Sequence, residues 1–144
     1  MNDKHLQFLK KLIYETQKSK IVWDSLFTFT DAEDIDERLP NFKYILWQDE
    51  WHSVDYTKSY ISFTNDFIVL ALTETIDGGS DYAVQKDGKT KFTDNNIYIA
   101  KDSKSKPYQL ALTNEAVLNL ISEIQKVEFI PSELDKIIDD FIND

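Results

Sequence analysis

The apolar residues of this chain follow two different periods, and the change between them restricts the fold more than any other feature. From Asn41 to Leu112, apolar and polar residues largely alternate, which is typical of strands that bury one face. On either side of this stretch, apolar residues recur every three or four positions, as they do on one face of a helix. Because the connections inside the alternating stretch are short and polar, we expect its strands to form an antiparallel meander.

Seven segments of the alternating stretch are strand candidates, and turn signals separate them. These signals are Asn65-Asp66, Asp77 to Ser80, Asp87-Gly88, Asp94-Asn95 and the polar loop 102–106. The candidate strands are 42–51, 59–64, 67–76, 81–86, 89–93, 96–101 and 107–112. A further strand is predicted at 21–29, where β-forming residues are dense, and one or two helical turns are predicted at 31–39, before Pro40.

Helices are predicted at both ends of the chain. Residues 3–19 carry one apolar stripe, and the C-terminal third carries two more, from Val117 to Ile124 and from Leu134 to Phe141. The economical architecture is α+β: a single antiparallel β-meander sheet with the N-terminal helix and two short C-terminal helices packed on one face. With 144 residues, of which 42% are hydrophobic, residues 1–144 are expected to form a single domain.

Composition argues against several classes of function. The chain has no cysteine, which excludes disulfides and thiolate chemistry and fits a cytoplasmic protein. It has no apolar run approaching the length of a membrane span and no apolar core of a signal peptide, so we expect no membrane association. A single arginine argues against sequence readout of DNA, and we expect no direct nucleic-acid binding. The oligomeric state stays open.

The net charge of −10 is unevenly distributed along the chain. Residues 24–57 carry nine acids against two bases, and residues 107–144 carry eight acids against two lysines. Residues 1–20 and 86–106 are instead basic, each with a net charge of +3. Acidic surfaces attract basic partners, including proteins that hold nucleic acid, so the expected partner is a protein with a basic surface.

Two stretches resemble a type of small protein that is common in Gram-positive bacteria and their prophages and mobile elements. FLKKLIYETQKSKIVW, residues 8–23, resembles their opening pattern L-I-x-x-T-x-x-G-x-I-x-W, with Ser19 standing where the glycine would be. The matching residues are Leu12, Ile13, Thr16, Ile21 and Trp23. Residues 97–124 resemble their closing strand, turn, strand and helix. The resemblance implies this α+β layout and a phage or mobile-element context, and it brings no known active site.

The stretch ILWQDEWHSVD, residues 45–55, has the residue types of a metal or acid–base site. If it is extended, Glu50 and His52 share one face and could contact one cation. Two ligands do not complete a zinc site, which typically has three or four protein ligands, although Asp55, Asp77 or Asp81 could complete it in the folded chain. We therefore predict no metal, no cofactor and no catalytic residue. A metal-binding protein or enzyme centred on Glu50 and His52 remains an alternative.

Two groups of residues are candidates for contact with a partner. The acids of 31–37 could imitate a run of phosphates, although a solvated helix start would have the same composition. Trp47 and Trp51, with the acids between them, combine large aromatic side chains with negative charge, as interface centres do. The candidate residues are Asp31, Glu33, Asp34, Asp36, Glu37, Trp47, Asp49, Glu50 and Trp51.

These features lead to a prediction of function. We expect a non-enzymatic acidic inhibitor, encoded by a phage or mobile element, that occludes a basic, nucleic-acid-handling surface of a host defence protein, as an anti-CRISPR protein would. An immunity protein or antitoxin that neutralises a cognate toxin is the alternative of the same broad class.

Overall fold

A computed structural model describes residues 3–29, 37–46, 48–79, 85–86, 88–128 and 131–143, with backbone alone at 28–29, 128 and 131–135. The predicted α+β class is confirmed, with an N-terminal helix, an antiparallel sheet and C-terminal helices. The elements are α1 (Asp3–Gln17), β1 (Asp24–Ser25), a 3₁₀ turn (Leu26–Phe29), α2 (Lys43–Leu46), β2 (His52–Val54), β3 (Tyr60–Phe63), β4 (Ile68–Asp77), β5 (Lys91–Ala100), β6 (Tyr108–Gln109), α3 (Asn114–Glu128) and α4 (Pro131–Ile142).

The sheet is a meander from β3 to β6, with β1 added beside β3. The ten residues of β4 pair along their whole length with β5, from Ile68 opposite Ala100 to Asp77 opposite Lys91. On its other edge, β4 pairs first with β3 and then with β2. Strand β3 pairs only with the first half of β4, and β2 pairs with the second half, so the sheet is not a simple meander.

Both faces of the sheet are buried. Helices α1 and α3 cover one face, where Leu9 and Leu120 pack near Val69 and Ile97. The other face is covered by the segment from Leu39 to Leu46, which packs near residues such as Leu70 and Leu72. Burial on both faces accounts for the continuous apolar run at the start of β4, where a strand with one wet face would alternate.

Several predicted elements differ from the structure, among them the strand predicted at 107–112, of which only β6 (Tyr108–Gln109) forms. Residues 43–46 form the single helical turn α2, not part of a strand at 42–51, and the predicted strand at 21–29 is reduced to β1 followed by a 3₁₀ turn. The predicted turn at Asp94-Asn95 does not form, and β5 continues through it. Asn95 fits in the strand because Asn114 accepts hydrogen bonds from its backbone N–H and its side-chain amide. Of the helical turns predicted at 31–39, residues 37–38 are helical and 31–36 lie outside the described residues. Of the strand predicted at 81–86, Lys86 forms an isolated bridge with Lys89 and 81–84 lie outside the described residues.

The two C-terminal helices do not behave alike. Helix α3 packs on the sheet as predicted, with Val117, Leu120, Ile121 and Ile124 buried. The prediction that both helices pack on one face is wrong for the described part of α4, because every described side chain of that helix is exposed.

Helix α1 ends in a Schellman motif centred on Ser19. The Lys20 N–H donates to the Glu15 carbonyl at 2.9 Å, and the Ser19 N–H donates to the Thr16 carbonyl at 3.0 Å. The motif requires a left-handed residue, and Ser19 has φ of 58°. This is the position at which the resembling sequence pattern has glycine, so the geometry explains that glycine and identifies the serine as a strained replacement.

Ser19→Gly is expected to raise the free energy of unfolding by about 0.5–1 kcal/mol. Glycine removes the left-handed strain, and part of this gain is offset because glycine makes the unfolded chain more flexible. Urea denaturation of both proteins measures the difference. Ser19→Ala keeps the Cβ atom and should show no gain, and equal midpoints for the two variants would contradict the role of strain.

Candidate functional site

The candidate stretch around Glu50 is a tight turn held by Asp49. One carboxylate oxygen of Asp49 accepts hydrogen bonds from the backbone N–H groups of Trp51 and His52, each at 2.8 Å. The Asp49 N–H donates to the His52 carbonyl at 2.8 Å. The extended conformation predicted for these residues begins only at His52, because the Asp49 side chain stabilises a turn before it. Asp49 therefore shapes the turn.

Trp51 rests on the end of β4. The Asp77 N–H donates to the Trp51 carbonyl at 2.8 Å, and the indole ring lies directly over Gly79. A Cβ atom at Gly79 would lie 2.8 Å from Cζ3 of Trp51, and the φ of +59° at Gly79 also favours glycine. The ring is nevertheless 52% exposed. Trp51 is thus fixed on one side and open to solvent on the other, next to the exposed Glu50.

His52 pairs with Glu74, and Glu50 is exposed. The Nε2 atom of His52 donates to a carboxylate oxygen of Glu74 at 2.9 Å. Glu74 is only 4% exposed, whereas His52 is half-buried, so the contact joins a buried carboxylate to a partly exposed ring. Among the residues that the structure describes, no group of three or more histidine, aspartate or glutamate side chains is placed to hold a metal ion.

Glu74 is the centre of a buried polar network that the sequence reading missed. Its second carboxylate oxygen accepts hydrogen bonds from the Asn96 side-chain amide at 2.7 Å and from the Tyr98 hydroxyl at 3.2 Å. Burial, followed by the negative charge of Glu74, raises the pKa of Tyr98 well above its ordinary value. The signal was available, since Glu74 follows Leu70 and Leu72 at even spacing and so falls on the same buried face.

The structure brings together only part of the predicted partner site. Asp49, Glu50 and Trp51 form the turn described above, whereas Glu37 lines a separate depression of about 460 Å³ together with Arg38 and Phe63. The remaining candidates, Asp31, Glu33, Asp34, Asp36 and Trp47, lie outside the described residues.

Two other depressions lie beside the second half of β4 and the first half of β5. One, of about 390 Å³, is lined by Lys86, Lys89 and Lys91, and the other, of about 610 Å³, has Lys58 and a set of hydroxyl and amide side chains. The described lining of both contains no histidine and no carboxylate. These walls therefore offer hydrogen bonds and positive charge, without a pair of groups suited to general acid–base chemistry.

No protein-family model, curated protein or solved structure matches this chain. In the described part of the chain, no helix combines the length and the apolar character needed to cross a membrane.

Proposed function

We propose that this chain is a non-enzymatic inhibitor that acts in the cytoplasm by binding a protein partner through its acidic surface. The partner is a host defence protein with a basic, nucleic-acid-handling surface, so the activity is anti-CRISPR-like, and the gene belongs to a phage or mobile element. The observation that carries the proposal is the turn at 48–51, which presents a fixed and half-exposed Trp51 beside the exposed carboxylate of Glu50.

Trp51 has the properties of an interface anchor. Tryptophan is enriched among the few residues that dominate binding energy, and it offers a large contact area with only two side-chain torsions to order. Here the ring is already held over Gly79, and the Asp49 carboxylate holds the turn that carries it. A surface that is fixed before binding avoids part of the ordering cost of association.

Charge supports a basic partner. The net charge of −10 and the acids of residues 24–57 speed encounters with a positively charged surface and oppose binding to acidic proteins. A surface that handles nucleic acid is basic because it must neutralise phosphates, so occupying it would exclude the nucleic acid. The hydrogen bond between His52 and the buried Glu74 supports a structural role for these two side chains.

Affinity capture tests the proposal. Tagged wild-type chain is expected to capture a nucleic-acid-binding protein from host lysate, and added chain should release labelled nucleic acid from that protein in stoichiometric amounts. Trp51→Ala should weaken the complex by about tenfold or more. Tyr14→Ala is the matched control, because Tyr14 is 53% exposed but lies on the lysine-rich helix α1, which suits a basic partner poorly.

Two results would contradict the proposal. One is a captured protein that still binds nucleic acid when saturated with the chain, and the other is equal affinity for wild type and Trp51→Ala. Capture of a toxin whose activity the chain neutralises would indicate the immunity function instead.

A further inference from the structure

Helix α4 exposes an apolar face that the described residues do not cover. The exposed fractions are 62% for Ile137, 44% for Ile138, 85% for Phe141 and 69% for Ile142. These positions are spaced so that they share one side of the helix. In α3, the corresponding apolar stripe is buried against the sheet, so the two helices have similar amphipathic patterns and opposite environments.

Such a face is typical of a binding site. Soluble monomers rarely expose contiguous large apolar patches, and those that they do expose are often interaction sites. An amphipathic helix commonly binds by placing its apolar face in a groove of another protein, with anchor residues at helical spacing. Phe141 is the natural anchor of this face, because it is the largest of the four side chains and the most exposed.

The charges along α4 restrict what can cover it. Asp139 and Asp140 are exposed on the helix, and the sequence places Glu133 and Asp135 one turn earlier, against the single base Lys136. A second copy docked on the same face would bring like charges together. A lipid surface is also a poor match, because the anionic cytoplasmic leaflet repels an acidic helix. Lysines and arginines around an apolar groove would complement both the apolar face and the acids.

We propose that α4 is a docking helix that inserts its apolar face into an apolar groove bordered by lysine or arginine on the partner protein. This inference deepens the proposed function and rests on it for the identity of the partner. The partner would then be bound through two surfaces of this chain, Trp51 and α4. Its groove for α4 would have apolar side chains on the floor and lysine or arginine on the rim.

A defined probe tests the docking helix without knowledge of the partner. The probe is a synthetic amphipathic helical peptide built from leucine and lysine, compared with the same peptide in which glutamate replaces every lysine. Binding to the full-length chain is measured by calorimetry at two salt concentrations. The leucine–lysine peptide is expected to bind at least about tenfold more tightly than the leucine–glutamate peptide, with an affinity that falls as salt rises.

Phe141→Asp separates docking from general charge attraction. The variant gains a negative charge and loses the apolar anchor, so docking predicts that binding of the leucine–lysine peptide weakens about tenfold or more. Charge attraction alone predicts that binding becomes tighter. Leu118→Asp is the matched control, because Leu118 is 43% exposed on α3, and it should keep wild-type affinity. Phe141→Ala removes the anchor without adding a charge, and it should also weaken binding of the leucine–lysine peptide.

Several outcomes would overturn the docking helix. Equal binding of both peptides, equal affinity of Phe141→Asp and Leu118→Asp, or sedimentation of the wild type as a dimer that Phe141→Asp dissociates would each do so. The peptide result is separate from the capture result. If the chain does not bind the leucine–lysine peptide but still displaces nucleic acid from its captured partner, the docking role of α4 is wrong and the proposed inhibitor function stands. If the chain binds the peptide specifically but does not displace nucleic acid, the proposed inhibitor function is wrong and the docking helix stands.

Discussion

Glu74→Ala is expected to lower the free energy of unfolding by about 3 kcal/mol. The substitution removes a buried carboxylate that accepts hydrogen bonds from His52, Asn96 and Tyr98. It leaves three donors without their acceptor and a cavity where the side chain was. For a chain of 144 residues, the melting temperature should fall by about 10 °C, as measured by circular dichroism.

Glu123→Ala is the matched control for this prediction. Glu123 pairs with the exposed Lys126 on α3 and accepts a side-chain hydrogen bond from Gln17 on α1, so its loss should lower the melting temperature by no more than about 3 °C. Glu74→Gln keeps the shape of the side chain but replaces one acceptor by a donor that faces other donors, so its effect should lie between the two. A melting temperature for Glu74→Ala equal to that of Glu123→Ala would show that the network contributes nothing to stability.

The elements with strong local patterns could be predicted from the sequence. Helices α1 and α3 have the period, the length and the flanking signals of a helix. Strand β4 could be predicted from its β-forming residues and the turn signals on either side of it, although its first residues do not alternate because both of their faces are buried. The Schellman motif at Ser19 was not predicted, although the resembling pattern has glycine at that position.

The segment from Leu39 to Leu46, which covers the other face of the sheet, was wrongly predicted because short apolar runs fit both a helix and a strand. Leu39, Phe42 and Leu46 are spaced as on a helix, yet the alternation of neighbouring residues suggested a strand. The pattern alone could not decide between them. Tertiary packing decides, because these side chains fill the face formed by Leu70 and Leu72.

The candidate site was harder to predict because its contacts join residues far apart in the chain. Trp51 is fixed by Gly79, and His52 is paired with Glu74, across the register of β2 and β4. A two-residue period places His52 on the same face as Glu50 in an extended strand, but it carries no information about which distant strand lies alongside. The turn made by Asp49 also depends on a side-chain hydrogen bond that alternation does not encode.

Alkaline pH should destabilise this protein through Tyr98. Burial and the charge of Glu74 raise the pKa of Tyr98 in the folded state, whereas the unfolded phenol titrates near its ordinary value of about 10. Above about pH 10, the folded state therefore binds more protons than the unfolded state, and stability falls as pH rises. A single phenol of this kind contributes up to about 1.4 kcal/mol per pH unit, and this stabilisation is fully present at neutral pH.

Tyr98→Phe is expected to make the loss of stability between pH 10 and pH 11.5 shallower by about 1 kcal/mol per pH unit. At neutral pH, the variant should instead be less stable than the wild type by about 1 kcal/mol, because Glu74 loses a hydrogen-bond donor. The two stability curves should therefore converge above about pH 10 and meet at about pH 11. Urea denaturation at several pH values measures the slopes, and ultraviolet absorbance should show one fewer tyrosinate appearing with unfolding. Parallel curves would mean that the Tyr98 phenol ionises equally easily in both states, against the burial of its hydroxyl beside a carboxylate.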